Sequence, residues 1–136
     1  MLIDIDPDSE SPLYLQLRDQ VVRAIAEGSL KPGEPLASVR QVAGQFGINS
    51  ATVGKGYELL RQEGLVRTSR RSGSVVSRGP GDPATPGFSA GWSDRLRTLL
   101  AEAVAHGVPE QSIRDTADSL LTEFAARRAD VGRSSS

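Results

Sequence analysis

The 136-residue chain has no cysteine, which excludes disulfide frameworks, thiol nucleophiles and thiolate metal sites and suits a reducing compartment. Its single histidine, His106, leaves no imidazole cluster, so neither a metal site nor a cofactor is expected. No apolar run approaches the roughly 20 residues of a membrane span. The opening MLIDIDPDSE is acidic where a signal peptide is basic, and both features point to a cytoplasmic protein. A phosphate-binding loop is missing too, because the glycines of residues 79–91 alternate with proline and lack the P-loop lysine. The carboxylates Asp115, Asp118 and Glu123 fall on the polar side of an expected helix, with no nucleophile to join them. These absences argue against an enzyme.

Net charge is also nearly missing, at −1 overall, but it is unevenly spread. Residues 1–35 carry 3 Lys+Arg against 7 Asp+Glu, residues 36–78 carry 7 against 2, and residues 79–136 carry 6 against 8. A cationic block thus sits between acidic flanks. Polyanion binding depends on where cations cluster, so the middle block is the candidate surface, although a basic stretch is more often a solvated face than a binding site.

What is present is helical punctuation. Ser11-Pro12 suits a helix N-cap and first position, and Leu13, Leu17, Val21, Ala24 and Ile25 recur at helical spacing until Gly28. The prolines and glycine of KPGEPL, residues 31–36, impose a turn. Ser38-Val39-Arg40-Gln41 has the capping-box form, with Val39, Val42, Ala43 and Phe46 as the apolar stripe behind it. Gly47 stands where a left-handed C-cap belongs, and Ile48 can fold back on Ala43. Asn49 then caps a further helix whose core face is Val53, Tyr57 and Leu60. Two helices joined by a tight glycine turn form a helix-turn-helix.

Beyond Gly64, Leu65–Thr68 and Ser74–Ser77 are short and β-prone, and the polar, basic segment Ser69–Gly73 between them makes a hairpin with a charged tip. Residues 79–91 hold three prolines and four glycines and read as a linker. After it, Ser93 can cap a helix bearing Leu96, Leu99, Leu100 and Ala103 that closes near His106-Gly107. Pro109 opens another, bearing Ile113, Ala117, Leu120, Leu121 and Phe124. The expected class is mainly α with a small β-hairpin. Its divisions are a winged helix-turn-helix over residues 1–78, a linker over 79–91, a helical tail over 92–130 and a flexible end over 131–136. Two amphipathic helices with no third layer need a partner to cover their stripes.

Residues 12–66, together with Gly73, strongly resemble the winged helix-turn-helix of GntR-family transcriptional regulators. Pro12-Leu13-Tyr14, Pro32-Gly33, Leu36, Ser38, Arg40, Gly47, Thr52-Val53, Tyr57, Leu60 and Glu63-Gly64-Leu65 carry the match. The short helical tail resembles the YtrA-type subfamily in length and helix pattern. The resemblance implies a homodimeric repressor on a two-fold-symmetric operator, released by an effector or a change of state. It also implies no pyridoxal phosphate, and a tail too short to build a large effector cavity alone.

In such a motif the second helix enters the major groove N-terminus first. The expected DNA-binding residues are Arg40, Asn49, Ser50, Ala51, Thr52 and Lys55, with Arg70, Arg71, Ser72 and Gly73 in the wing. The family often has arginine at the positions of Ser50 and Gly54. Their absence here moves the burden to Arg40, which the resemblance marks as a base- or phosphate-contacting residue. Lys55 can reach a phosphate, and Arg70 and Arg71 can enter the minor groove or clamp the backbone. Other readings stay open: Arg40 could pair with Glu34, Thr52 could be a first-turn cap, and Arg70 and Arg71 could be edge-strand charges. Arg61 and Arg67 read as solvated. Trp92, Leu96, Leu99, Leu100, Leu120, Leu121 and Phe124 are the expected dimer contacts, with Trp92 an anchor on a partner helix. The competing function is a winged helix turned protein-interaction module with weakened DNA binding.

Overall fold

The structure, a computed structural model, describes residues 4–134. Its elements are α1 (Leu13–Ala26), α2 (Val39–Phe46), α3 (Ser50–Gln62), β1 (Val66–Ser69), β2 (Gly73–Val76), α4 (Phe88–Ala105) and α5 (Glu110–Ser134). The mainly helical class with one antiparallel hairpin is as the sequence leads one to expect.

The helix-turn-helix closes through local hydrogen bonds. Ser38 Oγ accepts from the Gln41 N–H at 3.0 Å while Gln41 Oε1 accepts from the Ser38 N–H at 2.9 Å, a complete capping box. Gly47 takes φ 63°, a left-handed conformation that costs a glycine nothing, and lets the Ile48 N–H reach back to the Ala43 carbonyl. Asn49 Oδ1 then accepts from the Ala51 N–H at 2.8 Å and starts α3, a cap of the kind that contributes about 1 kcal/mol. The start of α1 differs from expectation. Pro12, at ψ 145°, is itself the cap, and Ser11 makes no capping bond but gives its carbonyl to the Gln16 side chain.

The core joins Leu17, Val21, Ala24 and Ile25 of α1 to Val42 and Ala43 of α2, Val53, Tyr57 and Leu60 of α3, and Val66 and Val76 of the wing. Burying each of the larger aliphatic side chains contributes about 1.5–3 kcal/mol, and the charged residues stay outside: among the described residues no charged side chain is buried. The hairpin runs in register from Val66 opposite Val76 to Ser69 opposite Gly73. KPGEPL does more than turn. After the bond from the Glu34 N–H to the Lys31 carbonyl the chain lies along β2, with Pro35 bridged to Val75 and the Leu36 N–H donating to the Ser74 carbonyl at 2.8 Å. Pro35 has no N–H to give, and an edge position tolerates that.

The linker is shorter than composition suggests. Its prolines are Pro80, Pro83 and Pro86, so beyond Gly87, which takes φ 78°, nothing prevents a helix, and α4 starts at Phe88 with Ser93 inside it rather than at its cap. The segment 79–87 is held in turns: the Gly79 N–H donates to Asp82 Oδ2, and Arg78 donates to Thr85 Oγ1 and to the Pro83 carbonyl. At the far end, residues 131–134, expected to be flexible, continue α5, while 135 and 136 lie outside the described residues. No described residue after Gly79 is buried.

Helices α1 and α3 meet at Gly56. A Cβ there would sit 2.9 Å from the Tyr14 carbonyl oxygen and 3.3 Å from Leu17 Cδ2, whereas one at Gly54 would meet nothing within 4 Å. The two positions share a helix and differ only in clearance. Gly56→Ala is therefore expected to lose about 1–3 kcal/mol to overpacking, outweighing its gain in helix propensity. Gly54→Ala should gain about 0.5–1 kcal/mol. Urea denaturation of both variants checks the opposite signs, and equal effects would contradict the close approach.

Candidate nucleic-acid interface

The opening turn of α3 presents Ser50 and Ala51 exposed and Thr52 half-buried. Asn49 spends its side-chain oxygen on the Ala51 N–H, which leaves its amide N–H groups to donate outward. The Thr52 hydroxyl makes no hydrogen bond among the described residues, so the cap belongs to Asn49 and Thr52 keeps its hydroxyl and methyl for another surface.

Arg40 is the second residue of α2, exposed, with no ion pair or hydrogen bond among the described residues. Glu34, its alternative partner, accepts instead from the Lys31 N–H. Arg70, Arg71 and Ser72 form the exposed wing tip, closed by Gly73 at φ 70°. The Arg71 N–H donates to Ser69 Oγ at 3.3 Å across that tip, and both guanidinium groups are unpaired among the described residues. Lys55 is placed differently from the cations around it. Its ammonium lies over the Tyr14 ring, 4.0 Å from the centroid, so reaching a phosphate means leaving a contact worth about 0.5–1 kcal/mol at an exposed site.

The two acids of residues 36–78 are both engaged. Arg18 grips Glu63 in a fork, Nε to Oε1 at 3.0 Å and Nη2 to Oε2 at 2.5 Å, and the hydrogen bond to Glu63 raises the arginine's pKa further. Arg61 pairs with Glu58 at 3.0 Å and also donates to Ser74 Oγ at 3.2 Å, bracing α3 against the wing. Arg61 is thus a brace rather than the solvated charge its sequence position implies. Sequence reasoning missed both arginines because their partners lie 45 and 13 positions away. Arg67 is exposed on β1.

Tyr57 sets the depth of α3. Its ring is fully buried, its hydroxyl donates to the Ala37 carbonyl at 2.6 Å just ahead of α2, and burial pushes its pKa up to about 12.

A family model described as bacterial regulatory proteins, gntR family, matches residues 13–76. The HTH-type transcriptional repressor YtrA of Bacillus subtilis is 32% identical over 114 residues, 84% of this chain and 88% of that one. The chain belongs to the GntR family. Of solved structures, YtrA from Sulfolobus acidocaldarius, a GntR-family transcription factor, superposes with a TM-score of 0.60 at 34% identity, covering 77% of this chain and 99% of that one. A Listeria monocytogenes EGD-e protein described as a transcriptional antiterminator reaches 0.81 at 24% identity, over 91% of this chain and 92% of that one, which speaks for the fold. Membership makes the chain a transcriptional regulator with a DNA-binding winged helix, not an enzyme.

Tyr57→Phe should leave the Ala37 carbonyl unpaired and cost about 1 kcal/mol. Because the folded state raises the tyrosine pKa above its unfolded value of 10.0, the native chain holds that proton longer. The associated stability is complete below pH about 10 and is lost as pH rises toward 12. Unfolding curves at pH 8 and pH 11 should show a smaller alkaline loss in the phenylalanine variant; an unchanged loss would assign it elsewhere.

Proposed function

We propose that this GntR-family regulator is a repressor that binds a two-fold-symmetric operator as a homodimer, in the cytoplasm. One observation carries the reading: Arg40, Arg70 and Arg71 are exposed without acidic partners among the described residues, in a block whose only two carboxylates are already taken by Arg18 and Arg61. The small residues Ser50, Ala51 and Thr52 let α3 come close to the base edges. Arg40 contributes sequence choice, and the wing arginines hold the backbone or minor groove. Ser72 and Gly73 shape the wing tip, Asn49 donates outward from the cap, and Lys55 reaches a phosphate when it leaves Tyr14.

The homodimer follows from the tail. Leu99 at 61% exposure, Leu121 at 65% and Leu120 at 47% stand open with Leu100, and Val104 and Val108, not singled out from sequence, join them. Leu96 and Phe124 are half-buried. Apolar surface on two helices with no buried residue of their own is the kind that a second copy covers, and a two-fold pairing would set two reading helices toward successive major grooves. Release by an effector is part of the same proposal, and no helix among the described residues is long and apolar enough to cross a membrane.

In a mobility-shift titration on duplex from the chain's own promoter region, Arg40→Ala should weaken specific binding about tenfold or more and relax sequence preference. Replacing Arg70 and Arg71 together by alanine should instead weaken binding to all sequences and flatten the salt slope by about 1.8 in log affinity against log salt. Affinity indifferent to salt would favour the protein-interaction module. Removal of residues 88–136 should give monomers by sedimentation and much weaker duplex binding; a truncated dimer would place the interface elsewhere.

A further inference from the structure

Between the winged domain and the first turns of α4 lies a cleft of about 800 Å³, within the range of small-molecule sites. Val22 of α1 and Leu65 supply its apolar wall on one side, and Phe88 and Trp92 of α4 on the other. Three arginines reach it, and their charges are not equivalent. Arg18 is neutralised by Glu63 and Asp19. Arg78 is held by neutral groups only, Thr85 Oγ1 at 2.7 Å and the Pro83 carbonyl. Arg95 lies 5.9 Å from the Phe88 ring centroid and has no carboxylate partner among the described residues. The N-terminus of α4, with no side-chain cap and no acid in its first turn, opens on the same space through Gly87 and Phe88, and the only carboxylate in the lining is that of Glu63, held by Arg18.

We propose that this cleft binds a small apolar anion, an aromatic or branched body carrying one carboxylate or sulfonate. The body lies between Val22, Leu65, Phe88 and Trp92, and the charge sits against Arg95 and Arg78. Two uncompensated guanidinium groups beside an apolar wall favour a negatively charged guest over a neutral one, because a charge-assisted hydrogen bond is roughly twice as strong as a neutral one. They also disfavour an apolar helix from a second copy, which would have to bury both charges unpaired. The site deepens the regulator reading by giving its effector a chemical class, and it lies where the segment after β2 leads into α4.

Trp92 is the only tryptophan and lines this cleft, so all tryptophan emission comes from a residue of the site. The probe is 4-phenylbutyrate, with the neutral 4-phenylbutyramide as its partner, titrated into the full chain without DNA. The carboxylate should give a saturable change with a Kd of about 1 mM or below. The amide should bind at least about tenfold more weakly. Arg95→Gln should bring the carboxylate down to the amide's affinity and leave the amide unchanged, while Arg97→Gln alters neither; circular dichroism confirms that both variants are folded. No saturable change, equal binding of the two probes, or an Arg95→Gln variant that binds the carboxylate normally would each overturn the proposal. So would an emission that follows protein dilution and ignores the anion, since a second copy would then fill the cleft. A chain that binds the carboxylate but no operator duplex would overturn the operator reading and leave this site standing.

Discussion

Helices α1 and α3 approach until the side chain that residue 56 lacks would collide with the Tyr14 carbonyl, and the proposed reading surface hangs from that contact. α3 is fixed along its length by Val53, Tyr57 and Leu60, all without solvent exposure, and laterally by the Arg18–Glu63 fork. Its opening turn then projects as a rigid edge. A helix that presents small residues to a groove gains little from any one of them, so its value depends on being held at one depth and angle.

The chain is close to neutral, yet its middle segment is a cationic surface because the acids there are tied off. Glu58 and Glu63 serve Arg61 and Arg18, internal braces that cost the surface no positive potential at Arg40 or the wing. Acidic residues are instead concentrated before Leu36 and after Arg78. Phosphate attraction depends on local charge density over about a Debye length, near 8 Å in physiological salt, so it follows where cations cluster more than the net charge of the chain.

Much of this was legible from residue order alone. The capping box at Ser38, the left-handed Gly47, the Asn49 cap and the apolar stripe ending at Leu60 are local signals, and the structure contains each of them. What was not legible is non-local. The Arg61 brace, the Arg18 fork, the strand pairing of Pro35 and the seating of Lys55 on Tyr14 join residues far apart in the chain. The start of α4 is obscured for a different reason. The composition of residues 79–91 reads as one proline- and glycine-rich block, although the last proline stands at 86 and only the residues before it are barred from helix. Of the proposed interface residues, the order of the chain could name Arg40 and the wing tip, but not that their charges have no acidic partner among the described residues.

The tail touches α1 at the end of that helix. Arg128 donates to the Ala26 carbonyl at 2.9 Å, where that helix ends and free carbonyls favour a cation, and Arg127 approaches Glu27 at 3.6 Å. Eight residues earlier on the same helix, about 12 Å along its axis, Arg18 borders the cleft beneath α4. The C-terminal end of α1 is therefore tied to α5. A pull on α5 is borne by α1, which is itself packed without clearance against α3 at Gly56.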